Sequence, residues 1–332
     1  MEPLPPPGLL LLGGQSREGK LTSVETFGFE NNCTIPPLPE TRYGFGSFIA
    51  FAHHPTQSPQ LAVCGGWWMG KPTSTDCLTL DVKSGQWERG TFTNGLIGNG
   101  VRGVINMEGH GVYIVHSTTI SFLKSDSDSW THGPLMIMWP GSPAECGCYL
   151  NKDSFVTIHS NETDNVQEYS TNGQYWKSKD KWPSMSTQRR SPACGATTEL
   201  LLVAGGVSGW DEVLASVEVY HIETMALRRG GAMREPRALF SLVPVGSTHP
   251  RLLALGGHNG YSVLSTSEWY DQEENGWSEG PTLETGRKSF GVLMVSTDLA
   301  CTEIDPPPHS CPAVDNGQNC SFLTTAGLLN QK

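Results

Sequence analysis

A near-repeat runs almost the whole length of this chain: an apolar run, a Gly-Gly pair or its remnant, a Glu/aromatic segment and then a Trp. Two copies align closely, LAVCGGWWMGKPTSTDCLTLDVKSGQW ending at Trp87 and LLALGGHNGYSVLSTSEWYDQEENGW ending at Trp277. LLLLGG, ending at Gly14, and LLVAGG, ending at Gly206, open two more, while HGVYIVHS and SFVTIHS, ending at Ser117 and Ser160, fill the gap between them. With the second residue of each pair as marker, the spacings are 52, 51, 43, 46 and 51 residues. That is the period of a propeller blade. Such units bury their apolar faces only against one another, so the 332 residues read as one domain growing around an axis rather than as two.

Composition supports short strands and excludes several functions. Only 17% of residues are charged, while 38 Gly and 23 Pro suit tight turns. A formal charge of -11 provides no basic footprint for nucleic acid or for an anionic membrane surface. No run of eighteen apolar residues is present to span a bilayer. Leu9 to Leu12 lack a basic leader and lead directly into Gly13-Gly14, so they read as a strand rather than an export signal. Nine Cys and sequons at Asn32, Asn161 and Asn319 point instead to an extracellular glycoprotein, with a cytoplasmic protein carrying free thiols as the alternative. Cys64 and Cys77 fall in successive predicted strands and read either as a disulfide or as two small buried hydrophobes.

Each copy reads as four strands, a to d, from the axis outward. Strand b is the apolar run, continuous because neighbouring blades cover both of its faces. The pairs Gly13-Gly14, Gly65-Gly66, Gly205-Gly206 and Gly256-Gly257 let backbone approach backbone where blades crowd together. Strand c carries Glu25, Glu168, Glu218 and Glu268, buried carboxylates expected to be held by an Arg or a backbone turn of their own blade. Strand d places Trp87, Trp130, Trp176 and Trp277 as wedges between blades, with Leu227 at that place in the fifth copy. Arg42, Arg102, Arg190, Arg237 and Arg287 precede a strands, and Glu145 to Leu150 forms the fourth-blade equivalent. The chain opens on a b strand and its last repeat strand is an a strand. Ser289–Val295 is therefore predicted to pair with Leu9–Leu12 and close the ring, leaving no open sheet edge.

These marks resemble kelch repeats over residues 8–297. The resemblance implies an all-β, six-bladed kelch propeller with residues 1–7 as an extension and 298–332 as an irregular Pro- and Cys-containing tail. Cys64-Gly65-Gly66 with Cys77, together with Cys33, looks similar to secreted invertebrate kelch proteins; the repeats are also similar to the kelch domain of BTB-BACK-kelch adaptors. Neither the converging Tyr and His of a kelch copper oxidase nor the Glu-x3-Asp-x3-His iron motif of plant specifier proteins is found, and no HExxH, Walker loop or G-x-S-x-G occurs. No cofactor or metal is expected: Cys146 and Cys148 share one face of a strand and read as packed or as lying near the central channel with Cys194, and His53-His54 reads as solvated loop. The function implied is non-catalytic binding of a protein or carbohydrate by a monomer. The partner-binding set comprises Arg17, Trp67, Trp68, Met69, Trp210, His258 and Tyr261 on b-c loops and Trp139 on the d-a side. The alternatives are a substrate-recognition subunit of a cullin-type ubiquitin ligase and a sugar-processing enzyme of the mutarotase or oxidase kind.

Overall fold

The computed structural model describes residues 8–27, 35–50, 60–68, 71–72, 77–81, 84–89, 101–107, 110–124, 127, 129–136, 143–159, 166–177, 182–246 and 250–295. Cys33, His53, His54, Met69, Trp139, the three sequon asparagines, Cys301, Cys311, Cys320 and the stretches 1–7 and 298–332 lie outside them.

Six antiparallel sheets form the blades. Blade one joins Gly291–Val295, Gly8–Leu12 and Val24–Phe27 as its a, b and c strands. Blade two runs Gly46–Ala50, Gln60–Cys64, Cys77–Asp81, Gln86–Arg89, and blade three Gly103–Met107, Gly111–Val115, Ile120–Leu123, Thr131–His132. Blade four runs Ala144–Asn151, Ser154–His159, Val166–Ser170, Tyr175–Trp176, and blade five Ala193–Ala196, Leu200–Ala204, Val217–His221, Leu227–Arg229. Blade six runs Ser241–Val245, Arg251–Leu255, Ser267–Asp271, Gly276–Glu279. The closing strand pairs as expected, Leu9 opposite Met294 through Leu12 opposite Gly291.

The closing seam explains why b strands are apolar throughout. Leu10 and Leu12 pack with Leu61, Val63, Leu78 and Leu80 of blade two, whereas Leu9 and Leu11 pack with Leu253 and Leu255 of blade six. Alternate side chains of one strand thus serve two different neighbours, so no face is left for water. Each of the six seams holds one such cluster.

Four blades add a polar clamp to this apolar stack. In blade six the fully buried Arg237 donates to the carbonyls of Gly256 and Thr266 (both 2.9 Å) and to Glu268 (2.9 Å). Glu268 also accepts the N–H groups of Arg234 and Glu235 at 2.7 and 3.1 Å, so the segment entering strand a is tied to strand c and to the first glycine of its own blade. Meanwhile the carbonyl of Arg237 accepts the Gly206 N–H of blade five at 2.8 Å. Side chain and backbone of one residue therefore hold two blades together. Arg287 repeats this with Glu25 (2.8 Å) and Gly13, and Arg189 with Glu218 (3.4 Å) and Gly205. Blade two has Leu78 where the others have Glu, and there Glu40, two residues before the buried Arg42, takes the guanidinium at 2.6 Å. Blade four holds Glu168 with Lys177 (2.5 Å) and the indole of Trp182 (3.3 Å).

Not every arginine that precedes an a strand is a clamp. Arg189, not Arg190, is the clamp of blade five: Arg189 has a fully buried side chain, while Arg190 stands 53% exposed and pairs with Asp211. Arg102 is no clamp of this kind either; it pairs with Glu145 of the next blade at 3.9 Å.

The clamp makes glycine obligatory at its acceptor. Gly256 and Gly257 adopt φ of 58° and 91°, and a Cβ on them would lie 2.5 Å from the Arg287 carbonyl and 2.6 Å from the Phe240 Cβ. At the rim of three seams an indole reaches back to the preceding blade. Trp87 donates to the carbonyl of Pro36 (3.1 Å), Trp176 to Pro134 (3.2 Å) and Trp277 to Gly231 (2.9 Å). Leu227 has no such donor, and in blade five the Tyr220 hydroxyl serves instead, donating to the Pro183 carbonyl at 3.0 Å under an edge-on Trp182. Burial of that Tyr220 phenol raises its pKa. Trp130 is buried edge-on to Phe48. Blades three and four, lacking Gly-Gly, bury His116 beside Ser121 (3.1 Å) and His159 beside Thr157 (2.8 Å).

Candidate functional site

The b-c loops and the segments leading into a strands meet on one face. Isolated bridges join Gln15 to Lys288, Val207 to Arg190 and His258 to Ala238, each linking a b-c loop to the incoming segment of its own blade. On this face the chain places Arg17, exposed in the blade-one loop, and Trp210 and Tyr261 in the loops of blades five and six. Trp210 is 94% and Tyr261 99% exposed, so neither folds back over a blade edge. Their loops adjoin, since a methyl on Gly260 would stand 3.4 Å from Val213. Trp67–Trp68 pairs with Lys71–Pro72 as a short hairpin in the blade-two loop. Lys20 of blade one lies over the Tyr43 ring at 5.2 Å.

His258 sits half-buried in the same loop as Tyr261, its Nδ1 accepting the Gly260 N–H at 3.3 Å. Desolvation, and then the charge on Lys288, lower its pKa below the ordinary 6.5. A histidine depressed on folding binds its proton more readily when unfolded, so its contribution is fully present above pH 6.5 and is lost as pH falls through the lower folded value. An NMR titration of the His258 ring should therefore give a midpoint below 6.5, and the acid-side loss of stability should shrink in His258→Gln. A midpoint above 6.5 would contradict the buried setting.

At the centre of the face lies a channel cavity of about 300 Å³, lined by the beginnings of the a strands. A chain of hydrogen bonds circles its wall. Gly44 N–H donates to the Ser289 carbonyl (2.8 Å), Ser289 to Leu239 (2.9 Å), Leu239 to Ser191 (3.2 Å), and Ser191 to the Glu145 carboxylate (2.8 Å). Gly44, Ser191, Leu239 and Ser289 all take positive φ, from 50° to 62°, which turns each N–H sideways toward the adjoining blade. Glu145 supplies by side chain what the other blades supply by backbone, and its second neighbour is Arg102. The same wall carries Cys146 and Cys194, joined as a disulfide between the a strands of blades four and five. A second disulfide joins Cys64 to Cys77, which face each other across strands b and c of blade two. Cys148 is a buried free thiol whose pKa desolvation has pushed up to about 12.

Sequence reasoning missed three features here: the Cys146–Cys194 bridge, the Glu145 role and the left-handed residues. Local pattern offered a signal only for the first, in three cysteines read as packed or as near the central channel. Among the described residues, no group of His, Cys, Asp and Glu is arranged to hold a metal, and no helix is long and apolar enough to cross a membrane.

Comparison with known proteins agrees with this geometry. The Kelch motif matches residues 240–284, which span blade six almost entirely. A kelch repeat-containing protein of Caenorhabditis elegans is 24% identical over 41% of this chain and 24% of its own length. A kelch repeat and BTB domain-containing protein of the same organism is 29% identical over 30% of this chain and 17% of its own. An F-box/kelch-repeat protein of Arabidopsis thaliana is 32% identical over 28% of this chain and 24% of its own. The chain thus spans about a quarter or less of these curated relatives. Six sheets closed into a ring, the Gly-Gly repeat and these matches together support a kelch-repeat β-propeller, similar in its blades to the kelch portions of these relatives.

Proposed function

We propose that this chain is a non-catalytic protein-binding module that takes its partner on the b-c and d-a loop rim, with Trp210 and Tyr261 as anchors. The observation that carries the reading is two almost fully exposed aromatic side chains on adjoining loops of a rigid ring. Large rings held free of their own fold desolvate much area at little entropic cost, which is what binding hot spots use. The rim's other expected members, Arg17, Trp67, Trp68, Met69, Trp139 and His258, would widen the same surface. Kelch relatives bearing BTB and F-box names favour a protein over a carbohydrate ligand, and they make a substrate-recognition role in a ubiquitin ligase the second reading. Two disulfides favour an oxidising, extracellular setting over the cytoplasm.

The test compares wild type with Trp210→Ala/Tyr261→Ala in quantitative capture of partners. Both side chains touch little, so melting should shift by no more than about 0.5 kcal/mol, while affinity for a rim partner should fall at least about tenfold. Equal capture by both proteins would remove these anchors from the site. Loss of binding on a glycan array, with protein capture intact, would transfer the rim to carbohydrate recognition.

A further inference from the structure

Both disulfides are buried in seams between blades, but only one of them borders the channel. Cys64 and Cys77 are both fully buried in the seam between blades two and three, among Phe48, Ile114 and Trp130. Cys146 and Cys194 instead line the channel cavity, each with a small exposed fraction, on a-strand segments whose Cα atoms stand 6.2 Å apart. At about 300 Å³ the cavity is comparable in size to a tripeptide and far smaller than a protein. Polar groups flank the bridge, since Glu145 precedes Cys146, Ser191 precedes Cys194 by three and Arg102 lies 3.9 Å from Glu145, while the cysteines themselves pack with Val156, Ile158 and Val203 of the seam.

We propose that the Cys146–Cys194 bridge is a thiol-exchange site reached through the central channel, open to low-molecular-weight thiols and closed to protein thiols, and that it acts as a releasable latch between blades four and five. In the exchange, a thiolate entering the channel attacks one sulfur of the bridge. The Cys146–Cys194 bond breaks, a mixed disulfide forms, and the other cysteine leaves as a thiolate that takes its proton from water. A second thiol then displaces the first as the small-molecule disulfide and leaves two cysteine thiols, so two electrons pass from the small thiols to the protein. Arg102 is the one cation lining this wall among the described residues, and its charge is paired with the Glu145 carboxylate at 3.9 Å. Cys148 lies in the same packed cluster but is held as the neutral thiol, so it does not open the bridge unaided. The Glu145–Ser191 hydrogen bond joins the same two strands independently, so exchange loosens the seam and leaves the blades in place.

The full-length protein is incubated under native conditions with glutathione, quenched in acid, alkylated and mapped by mass spectrometry. Cys146 and Cys194 should become labelled, with a glutathione adduct on one of them, roughly tenfold or more faster than Cys64 and Cys77, because access of the attacking thiol governs the rate. A thioredoxin-type protein thiol should leave the bridge closed in the same time. Hydrogen exchange should rise at Ser191 and Cys194 while far-UV circular dichroism stays unchanged. Cys148→Ser should keep the adduct, and Cys146→Ser/Cys194→Ser should lose it. The proposal is overturned if both bridges open at one rate, if Cys64–Cys77 opens first, if the protein thiol is as effective as glutathione, or if Cys146 and Cys194 are alkylated in untreated protein. Should the double variant fail to fold, the wild-type rates and the Cys148→Ser adduct decide the matter.

Discussion

A chain that stops at Lys288 should lose cooperative unfolding altogether. It lacks Gly291–Val295, the strand that pairs along all five residues of Gly8–Leu12 and inserts Leu293 and Val295 into one seam while Phe290 fills the other. Without it, Leu10 and Leu11, both 0% exposed in the intact ring, face water, and the b strand of blade one becomes an open edge. The lost ladder and core exceed the margin of about 5–15 kcal/mol by which a domain holds together. Stability in a closed ring is shared among all seams, so opening one seam exposes two blades at once. Denaturant titration followed by tryptophan fluorescence should show a broad, shallow change in place of the sigmoid of the full chain. A truncated protein with an unchanged midpoint would mean that the ring is closed by some other strand.

Substituting neighbouring arginines should separate the two readings of blade five. Arg189→Ala removes donors to the Gly205 and Ser216 carbonyls (both 2.8 Å) and leaves the buried Glu218 without its guanidinium. Desolvation lowers the pKa of Arg189, opposed by the Glu218 charge, so the pair stands on mutual compensation in a dry setting. Breaking such a pair costs about 3–5 kcal/mol, because the partner charge stays buried. Arg190→Ala, one residue on, removes only the exposed pair with Asp211 and should cost about 1 kcal/mol or less. Chemical denaturation of the two variants side by side measures both. Equal losses, or a larger loss at Arg190, would refute the clamp.

That one-residue difference shows where the sequence stopped being readable. A strand turns its side chains to opposite faces at each step, so a slip of one residue exchanges buried for exposed, and two adjacent arginines look alike to any pattern. Glu25, Glu218 and Glu268 were legible because three copies of the repeat place them identically, second in strand c; Glu168 falls one residue later in its strand, with Gln167 at the equivalent place. Glu40 was not legible, since it serves Arg42 from the incoming segment where the repeat has Leu78 in the glutamate's place. Likewise the indole wedges were visible as a periodic Trp, whereas Tyr220 and Trp182 take over at Leu227 only because the preceding d-a segment passes within reach. The rim residues were chosen by residue type and loop position; their exposure, 94% at Trp210 and 99% at Tyr261, depends on how each loop closes.

From its residues alone the chain specifies six units, their strand order and the meeting of its first and last strands, because apolar runs, glycines and their period are local properties that any blade must repeat. Tertiary structure alone decided what happens at the axis. There Cys146 meets Cys194 across 48 residues, Glu145 stands in for a backbone carbonyl, and left-handed residues pass hydrogen bonds from blade to blade. Those contacts join different copies of the repeat, and their partners are chosen by the closing of the ring, which no single unit encodes.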